Sequence, residues 1–201
     1  MSIPDPRPSF TSATAWAETV LRGVRDDQLS LPTPCADWTV AQLCGHLVGT
    51  ARRAEALADG RDVFTVDAFP AVHKAQPYAD AAAHARELWS DDATLDAMMQ
   101  VPWGRIPGRG ALWGYVNEAL VHGWDLAVAT GQPASADPSA AETTLAVVRS
   151  FITPEIRTDA EVPFGAVVEP HPDADPTEQL ANWSGRDTEP WLGRRRAAAS
   201  V

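Results

Sequence analysis

The chain has 201 residues, with 16 Lys and Arg against 27 Asp and Glu, and its formal net charge is −11 at pH 7. A chain of this length can bury roughly 70% of its unfolded surface around one core, so it needs no disulfides to fold. The negative field argues against nucleic acid or a membrane as partner and favours a metal ion or a small ligand. Arg194, Arg195 and Arg196 form the one concentrated run of positive charge and predict a solvated basic tail.

The sequence predicts a cytoplasmic protein. Its first ten residues lack the basic and apolar regions of a signal peptide, and no stretch approaches the roughly 18 apolar residues that span a bilayer. Cys35 and Cys44 are too few for a disulfide scaffold and have no CxxC spacing, so we expect both to be small buried side chains.

Apolar residues at helical spacing predict mainly helical structure. The main helices are expected over residues 10–27, 40–57, 78–90, 111–129 and 138–152, with a helical turn at 94–99, a loop at 103–110 and a short helix at 176–183. Thr39 and Gln42 form a capping box before the second helix, and Gly131 followed by Pro133 ends the fourth.

Beyond the fifth helix the pattern changes. Apolar residues alternate over 162–168, which predicts one short strand or hairpin. We therefore divide the chain into a helical bundle with a site over residues 1–157 and a C-terminal appendage with the basic tail over 158–201. Eight tryptophans predict a core or cleft built from large rings, and Trp183 and Trp191 either form an interface or cover the end of the bundle. A monomer and a homodimer both stay open.

One helix carries three polar residues on a single stripe. At 100° per residue, His122 lies about 40° and Asp125 about −20° from Glu118. A carboxylate and an imidazole one turn apart can bind the same cation. Asp125 can accept the second ring N–H of His122 from outside the metal, or complete the ligand set itself.

His46 is the best candidate for a third ligand, since it lies in an apolar run where an unpaired imidazole is costly to bury. Bundles commonly build metal sites from facing helices. Gly45 and Gly49 flank it and predict a close helix contact.

Ordinary explanations also exist for these residues. An acid and a histidine four residues apart are common on solvated helix faces, and a lone buried histidine is often simply hydrogen-bonded. The stripe, however, lies among Leu120, Val121 and Trp124, which favours an inward orientation. The remaining histidines, His73, His84 and His171, are expected to be solvated.

Two motifs resemble a known family. They are TPCADWTVAQLCGHLVG at 33–49 and NEALVHGWDLAVATGQ at 117–132. They are similar to actinobacterial DinB-like proteins related to mycothiol-dependent maleylpyruvate isomerase, over about residues 13–168. The resemblance implies an all-α, DinB-like four-helix bundle with one divalent metal, typically zinc, on His46, Glu118 and His122. An open N₂O site also admits nickel, iron or manganese.

The same resemblance implies a thiol-dependent enzyme, with mycothiol as cosubstrate and an electrophilic small molecule as substrate. The isomerase carries a larger C-terminal domain that helps form its substrate site, whereas about 45 residues follow Arg157 here, so we favour an S-transferase over an isomerase. Two alternatives are a metal hydrolase that uses bound water, and a non-catalytic binding or stress-response module stabilised by its metal. Arg105 and Arg109 either hold a carboxylate of thiol or substrate or are solvated loop charges.

Overall fold

Four helices pack around one core: α1 (Arg7–Arg22), α2 (Val40–Ala58), α3 (Ala75–Leu88) and α5 (Gly108–Thr130). In the computed structural model, α1 and α2 each contact both α3 and α5, which closes a four-helix bundle as predicted. The structure describes residues 3–36, 38–102, 104–158 and 164–198, and the side chains of residues 158 and 194–198 lie outside this description.

The predicted helix ends are confirmed where capping chemistry determines them. The Thr39 hydroxyl accepts from Gln42 N and the Gln42 side chain accepts from Thr39 N, so the capping box opens α2. Gly131 ends α5 in the left-handed conformation, with φ of 71°. The Asp137 side chain accepts from Ala140 N and begins α6 (Pro138–Val148).

Tryptophan side chains occupy the middle of the bundle, as predicted. Trp89, Trp113 and Trp124 are almost wholly buried. The indole N–H of Trp89 donates to Ala54 O, and that of Trp113 donates to Pro4 O, each over 3.0 Å. These bonds satisfy polar atoms that burial would otherwise leave unpaired.

A small hairpin lies between the third and fourth bundle helices, where a helical turn and a loop were predicted. α4 (Asp92–Asp96) ends early, and β1 (Met98–Val101) pairs antiparallel with β2 (Gly104–Pro107). The helical turn predicted over 94–99 is confirmed for 94–96, which lie in α4, and is wrong for 98 and 99, which lie in β1. The loop predicted over 103–110 is wrong in its described part, since 104–107 form β2 and 108–110 begin α5; residue 103 lies outside the description. Strands of four residues are too short to show a recognisable alternation in the sequence. Each of these two strands forms only by pairing with the other.

The C-terminal segment packs back onto the bundle. α7 (Pro176–Trp183) lies against α5 and α6, and α8 (Glu189–Ala198) follows it. The strand expected over 162–168 is absent from 164–168, and residues 162 and 163 lie outside the description. Val168 N donates to Asn182 O instead, because the segment runs beside the end of α7 and not beside a second strand.

Other predictions for the C-terminal region have mixed outcomes. The backbone of residues 194–196 continues α8, although a tail was expected; their side chains lie outside the description. Trp183 and Trp191 are half-buried against the core. The division between residues 157 and 158 stays a prediction. Among the described residues no helix is long and apolar enough to cross a membrane.

Gly45 and Gly49 make room for a loop to pack against α2, whereas a close contact with another helix was predicted here. A Cβ at Gly45 would clash with Pro70 O, and one at Gly49 would lie 2.6 Å from Ala68 O. The two glycines thus let the backbone around Phe69 lie directly on α2.

We expect Gly49→Ala to lower the free energy of unfolding by about 1–2 kcal/mol, since backbone must move and overpacking outweighs the gain in helix propensity. Urea unfolding measures this. Gly110→Ala in α5 is the matched control, because its Cβ would meet only Ile106 Cδ1 at 3.6 Å. Equal stability of the two variants would contradict the close approach.

Candidate metal centre

Three side chains converge where α2 faces α5. His46 Nε2 lies 3.1 Å and His122 Nε2 3.4 Å from the same oxygen, Glu118 Oε2. Glu118 and His122 are one turn apart on α5, and His46 meets them from the middle of α2. The predicted stripe therefore points inward, and the structure brings all three predicted ligands together.

The ionisable side chains at this site shift one another's pKa values. Burial alone raises the pKa of Glu118, but His122 and His46, through their hydrogen bonds and charge, together lower it by more than burial raises it. The net shift is downward, so the carboxylate stays ionised. Burial alone lowers the pKa of His122, yet hydrogen bonds to Asp125 and Glu118 leave it raised. The two carboxylates thus favour the protonated form of His122 in the metal-free site.

Asp125 supports His122 from the side away from Glu118. His122 Nδ1 lies 3.0 Å from Asp125 Oδ2, and the Asp125 side chain is 0% exposed. Arg186, in the turn after α7, donates from Nη2 to Asp125 Oδ2 at 2.9 Å and from Nε to Oδ1 at 3.2 Å. Burial by itself raises the pKa of Asp125, and the charge of Arg186 lowers it, so this carboxylate is also ionised.

Aromatic rings form one wall of the site. The Trp38 ring centroid lies 4.7 Å from that of His46 and 5.6 Å from that of His122, and the exposed Phe69 ring lies 4.9 Å from His46. The Thr33 hydroxyl donates to Trp38 O over 2.9 Å and so folds the segment before α2 across the site. The candidate centre thus combines polar ligands with an apolar, partly open wall.

The donor set fits one divalent cation. One ligand atom from each of His46, Glu118 and His122 lies within 4.8 Å of the others. Two imidazole nitrogens and one carboxylate oxygen are the ligands of open zinc sites. A carboxylate that accepts from the second nitrogen of a ligating histidine is equally typical. His46 has no such support, since its Nδ1 is buried without a hydrogen-bond partner among the described residues.

The two cysteines differ, and one prediction for them is wrong. Cys44 is buried, as expected. Cys35 is half-buried and its Sγ lies within 4.8 Å of ligand atoms of His122 and Asp125. The Thr33 hydroxyl also bonds Cys35 O, so the folded segment before α2 holds this cysteine beside the site and not in the core.

The structure does not bring Arg105 and Arg109 to the site. Arg105 is exposed on β2, and Arg109 pairs with Asp96 over 3.6 Å. Arg109 precedes Glu118 on α5 by a helix rise of about 13 Å. Their binding of a carboxylate stays a prediction. His84 and His171 are exposed as expected, whereas His73 is half-buried.

Sequence reasoning did not place Trp38, Phe69 or Arg186 at the site. Trp38 lies inside the first motif, and the tryptophan-rich composition already indicated a cleft lined by rings. Phe69 lies in a loop, and Arg186 is a single arginine 61 residues from its partner Asp125. Neither position carries a local pattern that marks it.

The fold and the site define a helical bundle with a candidate metal centre between two of its helices. Residues 10–127 match the family model described as the mycothiol maleylpyruvate isomerase N-terminal domain. The chain belongs to this family. The match includes the residues of the candidate centre on both α2 and α5.

The chain is similar to two uncharacterized proteins of Mycobacterium tuberculosis, from strains H37Rv and CDC 1551. Each is 34% identical over 185 residues, which cover 90% of this chain and 98% of the relative. No solved structure gave a significant match.

We expect protein purified without chelator to carry about one divalent metal per chain, and His46→Ala and His122→Ala each to lose most of it. Elemental analysis of the purified proteins measures this. His84→Ala is the control, because His84 is exposed and pairs with Glu55 outside the site. Equal metal content in all four proteins would rule out this site as the ligand set.

The stabilisation that zinc confers should grow with pH. Because the pKa of His122 is raised in the folded protein, protonation of this residue stabilises the metal-free fold at low pH. This stabilisation is lost as the pH rises through the pKa that His122 has in the folded state. Because zinc must displace that proton, we expect the difference in Tm between zinc-saturated and chelated protein to widen from about pH 6 to about pH 8. Thermal unfolding measures it, with His122→Ala as a control that shows no such trend. A difference that narrows would contradict the coupling.

Proposed function

We propose that the protein is a mycothiol-dependent metalloenzyme that transfers the thiol to an electrophilic small molecule, with His46, Glu118 and His122 as metal ligands and zinc as the metal. The observation that carries this proposal is the convergence of His46 Nε2, His122 Nε2 and Glu118 Oε2 beside a partly open wall. Family membership supports the thiol, since the family is described by a mycothiol-dependent isomerase.

A divalent cation held by these residues would lower the pKa of a thiol that it binds from the ordinary value of about 8.5. The ligand charges favour such a partner. Two neutral imidazoles and the Glu118 carboxylate leave a divalent cation with one uncancelled positive charge, while Arg186 neutralises Asp125 nearby. An anionic sulfur therefore suits the site electrostatically.

The protein's own residues would position both reactants. Glu118 is about a quarter exposed, so the site is reached from solvent on its side. Trp38 and Phe69 present flat apolar surface next to His46, which suits the organic part of an electrophile. In the proposed reaction an S–C bond forms, the bond from that carbon to its leaving group breaks, and the thiol proton leaves with that group.

The test is consumption of mycothiol by zinc-loaded protein with a panel of alkyl halides and epoxides. We expect turnover with at least one class, and a fall of about 100-fold or more in kcat/KM for Glu118→Gln and His122→Ala. His84→Ala should retain the wild-type rate within about twofold, because it lies outside the site.

Omission of the thiol separates this proposal from its rivals. Loss of the electrophile at the same rate without mycothiol would indicate a hydrolase. Absence of reaction with every electrophile would indicate a binding module that is stabilised by its metal. Either result would refute thiol transfer.

A further inference from the structure

Two overlapping groups of potential ligands share His122. One is His46, Glu118 and His122, and the other is Cys35, His122 and Asp125; in each group the ligand atoms lie within 4.8 Å of one another. His122 Nε2 faces Glu118 and Nδ1 faces Asp125. A thiolate, an imidazole and a carboxylate are also good zinc ligands, so the donor types alone do not decide which group binds the cation.

Arg186 distinguishes the two groups. Its guanidinium donates to both oxygens of Asp125, at 2.9 and 3.2 Å, and its Nη1 donates to Ser184 O at 3.0 Å. The Arg186 side chain is only 10% exposed and the Asp125 side chain is fully buried. A cation at Asp125 would have to break this two-donor pair and lie beside a permanent positive charge.

The same contact orients His122. With Asp125 held from behind, its Oδ2 is placed to accept the Nδ1–H of His122. A neutral imidazole that carries its proton on Nδ1 has its lone pair on Nε2, toward Glu118 and His46. Arg186 therefore disfavours one ligand group and prepares the other.

We propose that Arg186 is a positioning residue that directs the metal to the Nε2 side of His122 and keeps it away from Cys35 and Asp125. This role rests on the metal binding proposed above and does not depend on thiol transfer. It makes the segment after α7 part of the site, since that segment supplies Arg186.

The first test uses the wild-type protein. NMR of zinc-loaded protein labelled with ¹⁵N-histidine identifies which ring nitrogen binds the metal and which carries a proton. The proposal predicts zinc on His122 Nε2 and a proton on Nδ1. Zinc on Nδ1 would overturn it, and no variant has to fold for this result.

The second test uses Co²⁺, whose bond to a thiolate gives a charge-transfer absorption that histidine and carboxylate ligands do not give. We expect no such band in the wild type or in Arg186→Lys, which retains a positive charge beside Asp125. Arg186→Gln should show the band, and the added change Cys35→Ser should remove it. A wild type that already shows the band, or Arg186→Gln without it, would overturn the proposal.

Arg157→Gln is the matched control for loosening of the C-terminal segment. The Arg157 guanidinium donates to Gly165 O and Trp183 O, each over 2.6 Å. It therefore anchors the C-terminal segment without contacting Asp125. We expect its cobalt spectrum to equal that of the wild type. A thiolate band in this variant would show that loosening alone moves the metal and would overturn the specific role of Arg186. Both tests measure which residues coordinate the metal and do not measure activity. Their results therefore hold even if thiol transfer is not observed.

Discussion

The buried carboxylate of Asp125 is the constraint on which the site depends. An ionised carboxylate without solvent costs several kcal/mol unless a partner compensates it. Asp125 lies inside α5, and the neighbouring turns of the same helix supply only His122 as a partner. The second partner, Arg186, comes from the turn after α7, so the C-terminal segment must dock on α5 for the charge to be neutralised. That docking in turn orients His122 toward Glu118 and α2.

The two imidazoles of the candidate centre are held in different ways. His122 is 9% exposed and anchored through Nδ1 by Asp125, whereas His46 Nδ1 has no hydrogen-bond partner in the described part of the chain. The rings of Trp38 and Phe69 pack against His46, and its Nε2 lies 3.1 Å from Glu118 Oε2. His122 is therefore held by polar partners at both ring nitrogens, whereas His46 has its polar contact at Nε2 and apolar contacts next to the opening.

Irregular segments form the wall of the site, while helices supply its polar atoms. The Thr33 hydroxyl closes the segment that places Trp38 and Cys35, and the close approach at Gly49 seats the loop that carries Phe69. Such a division is common, since a rigid scaffold positions the reactive groups and loops shape access to them. In this chain the candidate metal ligands lie on α2 and α5, and the apolar wall lies in the segments before and after α2.

The sequence by itself determined the bundle helices, the capping box at Thr39, the stop at Gly131 and the stripe of Glu118, His122 and Asp125, because helix periodicity and capping are local. It also named His46, since an imidazole in an apolar run needs a partner. Only the tertiary structure decided the hairpin before α5, the absence of strand pairing over 164–168, the place of Cys35 and the pairing of Arg186 with Asp125. Each of these depends on residues that are brought together by chain folding, and a contact across 61 residues leaves no periodic pattern in the sequence.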